Sequence, residues 1–196
     1  KQLALLRTFA EQAVIAIQNA RMFNDTREAL EQQKASGEVL AAISSSISDV
    51  GPVFDVILGN CQRLFSARNA GITLVHDDGT VDIDAHLGPG YEALKRLFPR
   101  PLGRDVAAGV AILDRKTYAF PDLDASDVPS VLRTGSTSMG DRSFLVAPMM
   151  LGERAIGALW IGRDFKGDFA PKQLALLRTF TEQAVIALQN SRLFNE

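Results

Sequence analysis

Few side chains in this 196-residue chain have types and spacing that could do chemistry. Of the two histidines, His76 ends the apolar segment AGITLVH and His86 lies near the end of the alternating segment TVDIDAHL. Imidazoles so placed could ligate haem or a metal, but no cysteine clusters with them. Asp77, Asp78, Asp82 and Asp84 surround them, and that spacing does not match a calcium-binding helix–loop–helix; a solvated hairpin is the simpler reading. The single cysteine, Cys61, lies between Asn60 and Gln62, so there is neither a disulfide framework nor a Cys-based zinc site. It reads as a small buried packing residue. Gly88-Pro89-Gly90 lacks the lysine and the spacing of a phosphate-binding loop. Neither histidine lies near a sharp Gly-x-Ser-x-Gly turn, so no nucleophilic triad is supported. The expectation is a segment that is not an enzyme, with no metal and no cofactor.

Composition points the same way. Hydrophobic residues make up 46% and charged residues 22%, an ordinary globular balance. A net charge of −2 shows no basic excess that would favour nucleic acid. The longest apolar runs, such as Ala13–Ile17, fall far short of the ~18 residues that span a bilayer, and there is no signal-peptide pattern. A cytoplasmic location without direct membrane contact is expected.

What must position any functional residue is dominated by a repeat. KQLALLRTFAEQAVIAIQNARMFN (Lys1–Asn24) returns as KQLALLRTFTEQAVIALQNSRLFN (Lys172–Asn195), identical at 20 of 24 positions. The differences are Ala10/Thr181, Ile17/Leu188, Ala20/Ser191 and Met22/Leu193. An offset of 171 residues is far longer than a solenoid repeat, so each period is a whole domain. The first copy is expected to be the last helix of a preceding domain, within a larger protein.

From Lys1 to about Ser48 there is no proline, and the single glycine is Gly37. One continuous helix of roughly 65–70 Å is expected, projecting from the domain or bridging two. Its apolar residues fill three seven-residue rows, more than a two-helix seam requires. Leu6, Ala13 and Ala20 form one row, Phe9, Ala16, Phe23 and Leu30 another, and Leu3, Ala10 and Ile17 a third. Pro52 opens a second helix that runs to about Ser66. Ala70–His76 and Thr80–Leu87 read as strands around an Asp77-Asp78-Gly79 turn. Tyr91–Phe98 and Val106–Leu113 read as short helices, Thr117–Phe120 as a short strand, and Pro121–Gly140 as loop with a helical turn at Val128–Arg133. Ser143–Met150 and Arg154–Gly162 are strongly apolar strands around a tight turn. A closing helix follows over 170–196. The division is thus a linker helix, 1–48, and a globular domain, 49–196, of α+β class with an antiparallel sheet sandwiched between terminal helices and short helices or loops.

Two stretches carry a resemblance. One is FLVAPMMLGERAIGALWIGR (Phe144–Arg163) followed by FAPKQLALLRTFTEQAVIALQN; the other is GVAILDRKTYAFPD (Gly109–Asp122). They resemble the GAF family of sensor domains, whose architecture is related to that of PAS domains, over about residues 50 to 196. The repeated helix with its following EALEQQ looks like the GAF arrays of bacterial hybrid histidine kinases and of some nucleotide cyclases. No kinase or cyclase residue lies in the segment itself. Some GAF domains attach a bilin through a loop cysteine beside a histidine, and others reduce free methionine sulfoxide with several cysteines; Cys61 fits neither pattern.

The resemblance implies a ligand cavity on one sheet face and helices on the other. Alternation proposes Ile72, Leu74, Phe144, Val146 and Trp160 for the cavity face. Leu145, Ala147, Leu159 and Ile161 would face the helices, with Gly157 admitting a helix closely. Both strands of the second hairpin are apolar on both faces, so alternation alone leaves the faces interchangeable. Leu97, Phe98, Val110 and Leu113 would form the lid. Arg133 and Arg142, flanking the Thr134–Asp141 loop, could fix an anionic or polar ligand of unidentified type. A homodimer is expected through the terminal helices, using Leu6, Phe9, Ala13, Ala16, Ala20, Phe23, Leu177, Ala184 and Leu188. The implied function is a sensory or regulatory module relaying a small-molecule or conformational signal to an output domain such as a histidine kinase. The alternatives are a ligand-free dimerisation spacer and a GAF domain of a nucleotide cyclase.

Overall fold

A computed structural model describes residues 2–46, 48–128, 133, 135–136 and 138–195. The chain divides into two units, Lys1–Gly37 and Glu38–Glu196. In the first, the run without proline forms most of α1 (Gln2–Ser45), which continues through Gly37 with no reversal. Every residue from Phe9 to Leu30 is exposed, including Phe9, Val14, Ile17 and Phe23. Ala35, Val39 and Ile43, spaced four apart on the same helix, are buried.

The second unit is an α+β sandwich. Helix α2 (Gly51–Phe65) starts with Pro52 in its first turn, where the missing N–H costs nothing. Val53, Phe54, Ile57, Leu58, Cys61 and Phe65 lie along its buried face, and Ser66 ends it in the left-handed region. Strands β1 (Asn69–Val75) and β2 (Thr80–Leu87) form the first hairpin. Asp78 holds its turn by accepting from the Thr80 backbone N–H and hydroxyl. Then come α3 (Tyr91–Lys95), β3 (Arg100–Pro101), α4 (Ala107–Asp114) and β4 (Tyr118–Phe120). Strands β5 (Ser143–Leu151) and β6 (Arg154–Arg163) form the second hairpin, and α5 (Pro171–Asn195) closes the fold. The six strands order as β3-β2-β1-β6-β5-β4, with antiparallel neighbours throughout.

Two differences from the sequence reading have simple causes. The first short helix stops at Lys95 because Pro99 and Pro101 pull the chain into extended conformation, and Arg100 then pairs with Val81 as an edge strand. The expected turn at Val128–Arg133 falls largely on residues 129–132, outside the described set.

Helices α2 and α5 pack on one sheet face, and α4 packs on the other. Pairing decides which side chains go where, because directly opposed residues share a face. Val146 opposes Trp160, and Trp160 opposes Gly71. Trp160, Phe144 and Val146 join Ala108, Ala111 and Ile112 of α4 in one buried cluster. Leu145 opposes Ile161 and Ala147 opposes Leu159, on the α2/α5 side. Ile72 opposes Leu159 and Leu74 opposes Gly157, so both lie on that side too, not on the cavity face. The residues of β1 that reach the α4 side are Gly71 and Thr73. Gly157 also has a different role from the one expected. A Cβ there would lie 2.7 Å from the Leu74 side chain, so the missing side chain admits a strand neighbour, not a helix.

Along α5, Leu177, Phe180 and Ala184 are fully buried and Leu188 is 7% exposed. Leu177, Ala184 and Leu188 therefore belong to the interior of the domain and cannot form a dimer seam. The open side of α5 carries Arg178, Glu182, Ile186, Gln189 and Leu193.

Candidate ligand pocket

Between the sheet and the crossing segments lies a cavity of about 700 Å³. Its floor is Trp160 of β6, Phe144 of β5 and Thr73 of β1; Ile83 of β2 closes one side. Trp160 is 3% exposed and is held on three sides. Its indole N–H donates to Thr73 Oγ1 at 3.2 Å, Phe144 stacks at 5.8 Å, and the His86 ring lies 5.7 Å away. The ring lies across Gly71, where any Cβ would sit 2.7 Å from indole Cε2. A glycine inside a strand signals such a close approach, a cue that the alternation reading did not use.

The opposite wall comes from Leu94 of α3, the following Leu97 and Phe98, and Val106 to Ala108 at the start of α4. Gly135, Ser136, Ser138 and Met139 complete it. Of the expected cavity residues, Leu97, Phe98, Phe144 and Trp160 line it. Val146 and Val110 pack in the adjoining core cluster. Leu113 is 42% exposed on the far side of α4. The two expected arginines have other work. Arg133 donates to the carbonyls of Ala125 and Val128, bracing its own loop. Arg142 is exposed and pairs with Asp124 at 3.2 Å.

The charged groups that do line the cavity are Arg96, Arg100 and Asp105. Arg100 is ion-paired with Asp105, yet its Nε is buried and has no hydrogen-bond partner. Arg96 and Arg100 thus place cationic side chains in a mostly apolar lining, the arrangement with which pockets of ~300–1,000 Å³ orient a ligand. Sequence reading missed this pair because β3 is only two residues long and carries no periodicity.

His86 is half-buried between Tyr91 and Trp160. Burial pushes its pKa down, which favours the neutral ring, and its Nε2 is buried without a partner. His76 stays exposed, 3.7 Å from Asp84. Cys61 is fully buried in α2; burial pushes its thiol up, so it is not a thiolate. Among the described residues no group of three His, Cys, Asp or Glu could hold a metal.

The rim is tied by one amide. Asn69, fully buried, donates from Nδ2 to Asp141 Oδ1 at 2.8 Å and to the Met139 carbonyl at 3.2 Å. Its Oδ1 accepts the Gly90 N–H at 2.9 Å, which joins the entry of α3 to the segment around Met139. Asp141 Oδ2 is buried without a partner. Burial pushes this carboxyl up to about 7, Asp164 adds to the effect, and Asn69 and Arg68 oppose it. A carboxyl whose folded pKa is raised stabilises the fold below its unfolded value of about 4, and the contribution is lost as pH rises through about 7. Asp141→Asn, which stays neutral and keeps an acceptor for Asn69, is expected to raise stability at pH 8 by roughly 1–3 kcal/mol. It should also flatten the pH dependence between about 4 and 7. Urea midpoints across that range check this; an unchanged slope would refute a buried, titrating Asp141.

With the geometry in place, comparison with known proteins decides the family. The family model for the GAF domain matches residues 48–189. The chain belongs to the GAF domain family. Solved GAF structures agree on the fold. The GAF domain of an Acinetobacter phosphoenolpyruvate-protein phosphotransferase superimposes with a TM-score of 0.67 at 16% identity, covering 84% of this chain and 98% of that one. The phycoerythrobilin-bound GAF domain of a cyanobacterial phytochrome gives 0.66 at 16% identity, with the same coverage of 84% and 98%. A domain assigned to a two-component sensor histidine kinase from Sinorhizobium meliloti 1021 gives 0.59 at 17% identity, covering 71% and 90%. No curated protein sequence matches the chain. Among the described residues of this GAF domain no helix is long and apolar enough to cross a membrane.

Proposed function

We propose that this GAF domain is a non-catalytic sensory module that binds a small amphipathic ligand in the Trp160 cavity. It passes the resulting strain to its helices, and through them to an output domain such as a histidine kinase, in the cytoplasm. The observation that carries this reading is the way the cavity floor is built. Trp160 hydrogen-bonds Thr73 across two strands whose reverse faces lie on α2 and α5. A ligand that moves the indole pushes on the sheet that seats the helices, and only a ligand with different affinity for the two arrangements can shift them. The apolar floor suits a planar or branched hydrocarbon body, and the Arg96 and Arg100 side chains of the lining suit an acceptor such as a carboxylate. The pigment-bound phytochrome domain and the sensor-kinase domain share this fold, which supports a sensory role.

Titration with aromatic and branched carboxylic acids, read by the emission of the single tryptophan, is the test. Binding should change Trp160 emission, and Ala108→Leu, which fills the cavity from α4, should abolish the change. Flat emission throughout would favour a domain that only spaces and dimerises. Dimerisation belongs to the same proposal. With Leu177, Ala184 and Leu188 interior, the seam on α5 is its open row of Ile186 and Leu193. A sedimentation coefficient that stays monomeric at high micromolar concentration would count against it.

A further inference from the structure

The two copies of the repeated helix have opposite surroundings, and the contrast identifies what the first copy is built to touch. Leu6 is 67% exposed and its match Leu177 is fully buried. Phe9 is 60% exposed and Phe180 fully buried; Ile17 is 53% exposed and Leu188 only 7%. Ala13 is exposed and Ala184 is fully buried. The residues that α5 leaves open match as well. Arg178 and Glu182 form an exposed i,i+4 pair at 3.4 Å, and Arg7 and Glu11 form the same pair at 3.1 Å. One face is thus written twice for burial and one face twice for solvent. Few stretches expose so many large apolar residues without a partner.

We infer that the Leu6, Phe9, Ala13 and Ile17 face of α1 docks on the sheet of a second domain of this same fold, N-terminal in the same polypeptide, and not on a partner helix. The occupant follows from α5. There the matching face is covered by the β5–β6 surface, with Leu145, Leu159 and Ile161 fully buried, and by α2. The chain enters α5 directly from β6, so a helix with this face takes its place after a β5–β6 hairpin. The dimer seam moves accordingly. On α1 it is the row matching the open side of α5, namely Ile15, Gln18 and Met22, and not Leu6, Phe9 and Ala13.

The test is thiol labelling in the complete gene product, where Cys61 is buried and contributes little background. Single cysteines are placed at Ala13 and Phe9 on the proposed sheet-facing row and at Arg7 and Glu11 on the open side, away from the seam residues. Ala13→Cys adds only a sulfur, so its folding is not at risk. Expected are labelling rates at Ala13 and Phe9 at least about 100-fold below those at Arg7 and Glu11, unchanged on dilution. Equal rates at all four positions would overturn the inference. So would protection at Ala13 that vanishes on dilution, because that is the behaviour of a seam with a second copy. In the 196-residue chain alone all four positions should label fast.

Discussion

Gly71→Ala is expected to destabilise the domain by about 3 kcal/mol and to release Trp160 from its seat. The new methyl would lie 2.7 Å from indole Cε2 and 2.9 Å from Cη2. An aromatic ring cannot give way as a flexible side chain would, and this one is 3% exposed. It is also stacked on Phe144 and bonded to Thr73, so moving it forfeits those contacts together. The floor of the cavity would go with it. Urea unfolding should show the lowered midpoint, and acrylamide should quench Trp160 far more readily than in the parent. A midpoint within about 0.5 kcal/mol and unchanged quenching would mean that the indole does not lie across β1.

The second large effect compares one substitution in two identical contexts. Glu-Gln-Ala-Val-Ile-Ala occurs at Glu11–Ala16 and again at Glu182–Ala187. Ala184→Glu would bury a carboxylate at a site with no exposure. The expected cost is on the order of 4 kcal/mol or more, close to the whole stability of such a domain. Ala13→Glu meets solvent and should change the stability of the 196-residue chain by about 0.5 kcal/mol or less. Thermal melts of both variants decide it. Equal losses would show that the two copies have equivalent surroundings.

The sequence by itself determined the element order, because its signals are local. A 44-residue helix follows from a stretch with no proline and one glycine. The hairpin turns at Asp78 and Gly152 follow from residues that turns require. The partition of β5 and β6 into two faces also follows, since alternation has period two along any strand. The repeat was legible without any structure.

What tertiary structure decided is which copy of each ambiguous pattern goes inside. Strand β1 is apolar on both sides, and its pairing slips between Ile72 and Thr73, so only its register against β6 shows that Gly71 and Thr73 face the cavity while Ile72 and Leu74 do not. The closing helix has apolar residues around most of its circumference, and only the sheet packed against it separates Leu177 and Ala184 from Ile186 and Leu193. The polar parts of the pocket join residues that no spacing rule connects. Asn69 meets Asp141 across 72 positions, and Arg100 meets Asp105 through a two-residue edge strand. Local periodicity reports how a segment could be buried; the neighbour that buries it is chosen by long-range packing, which a single sequence does not spell out.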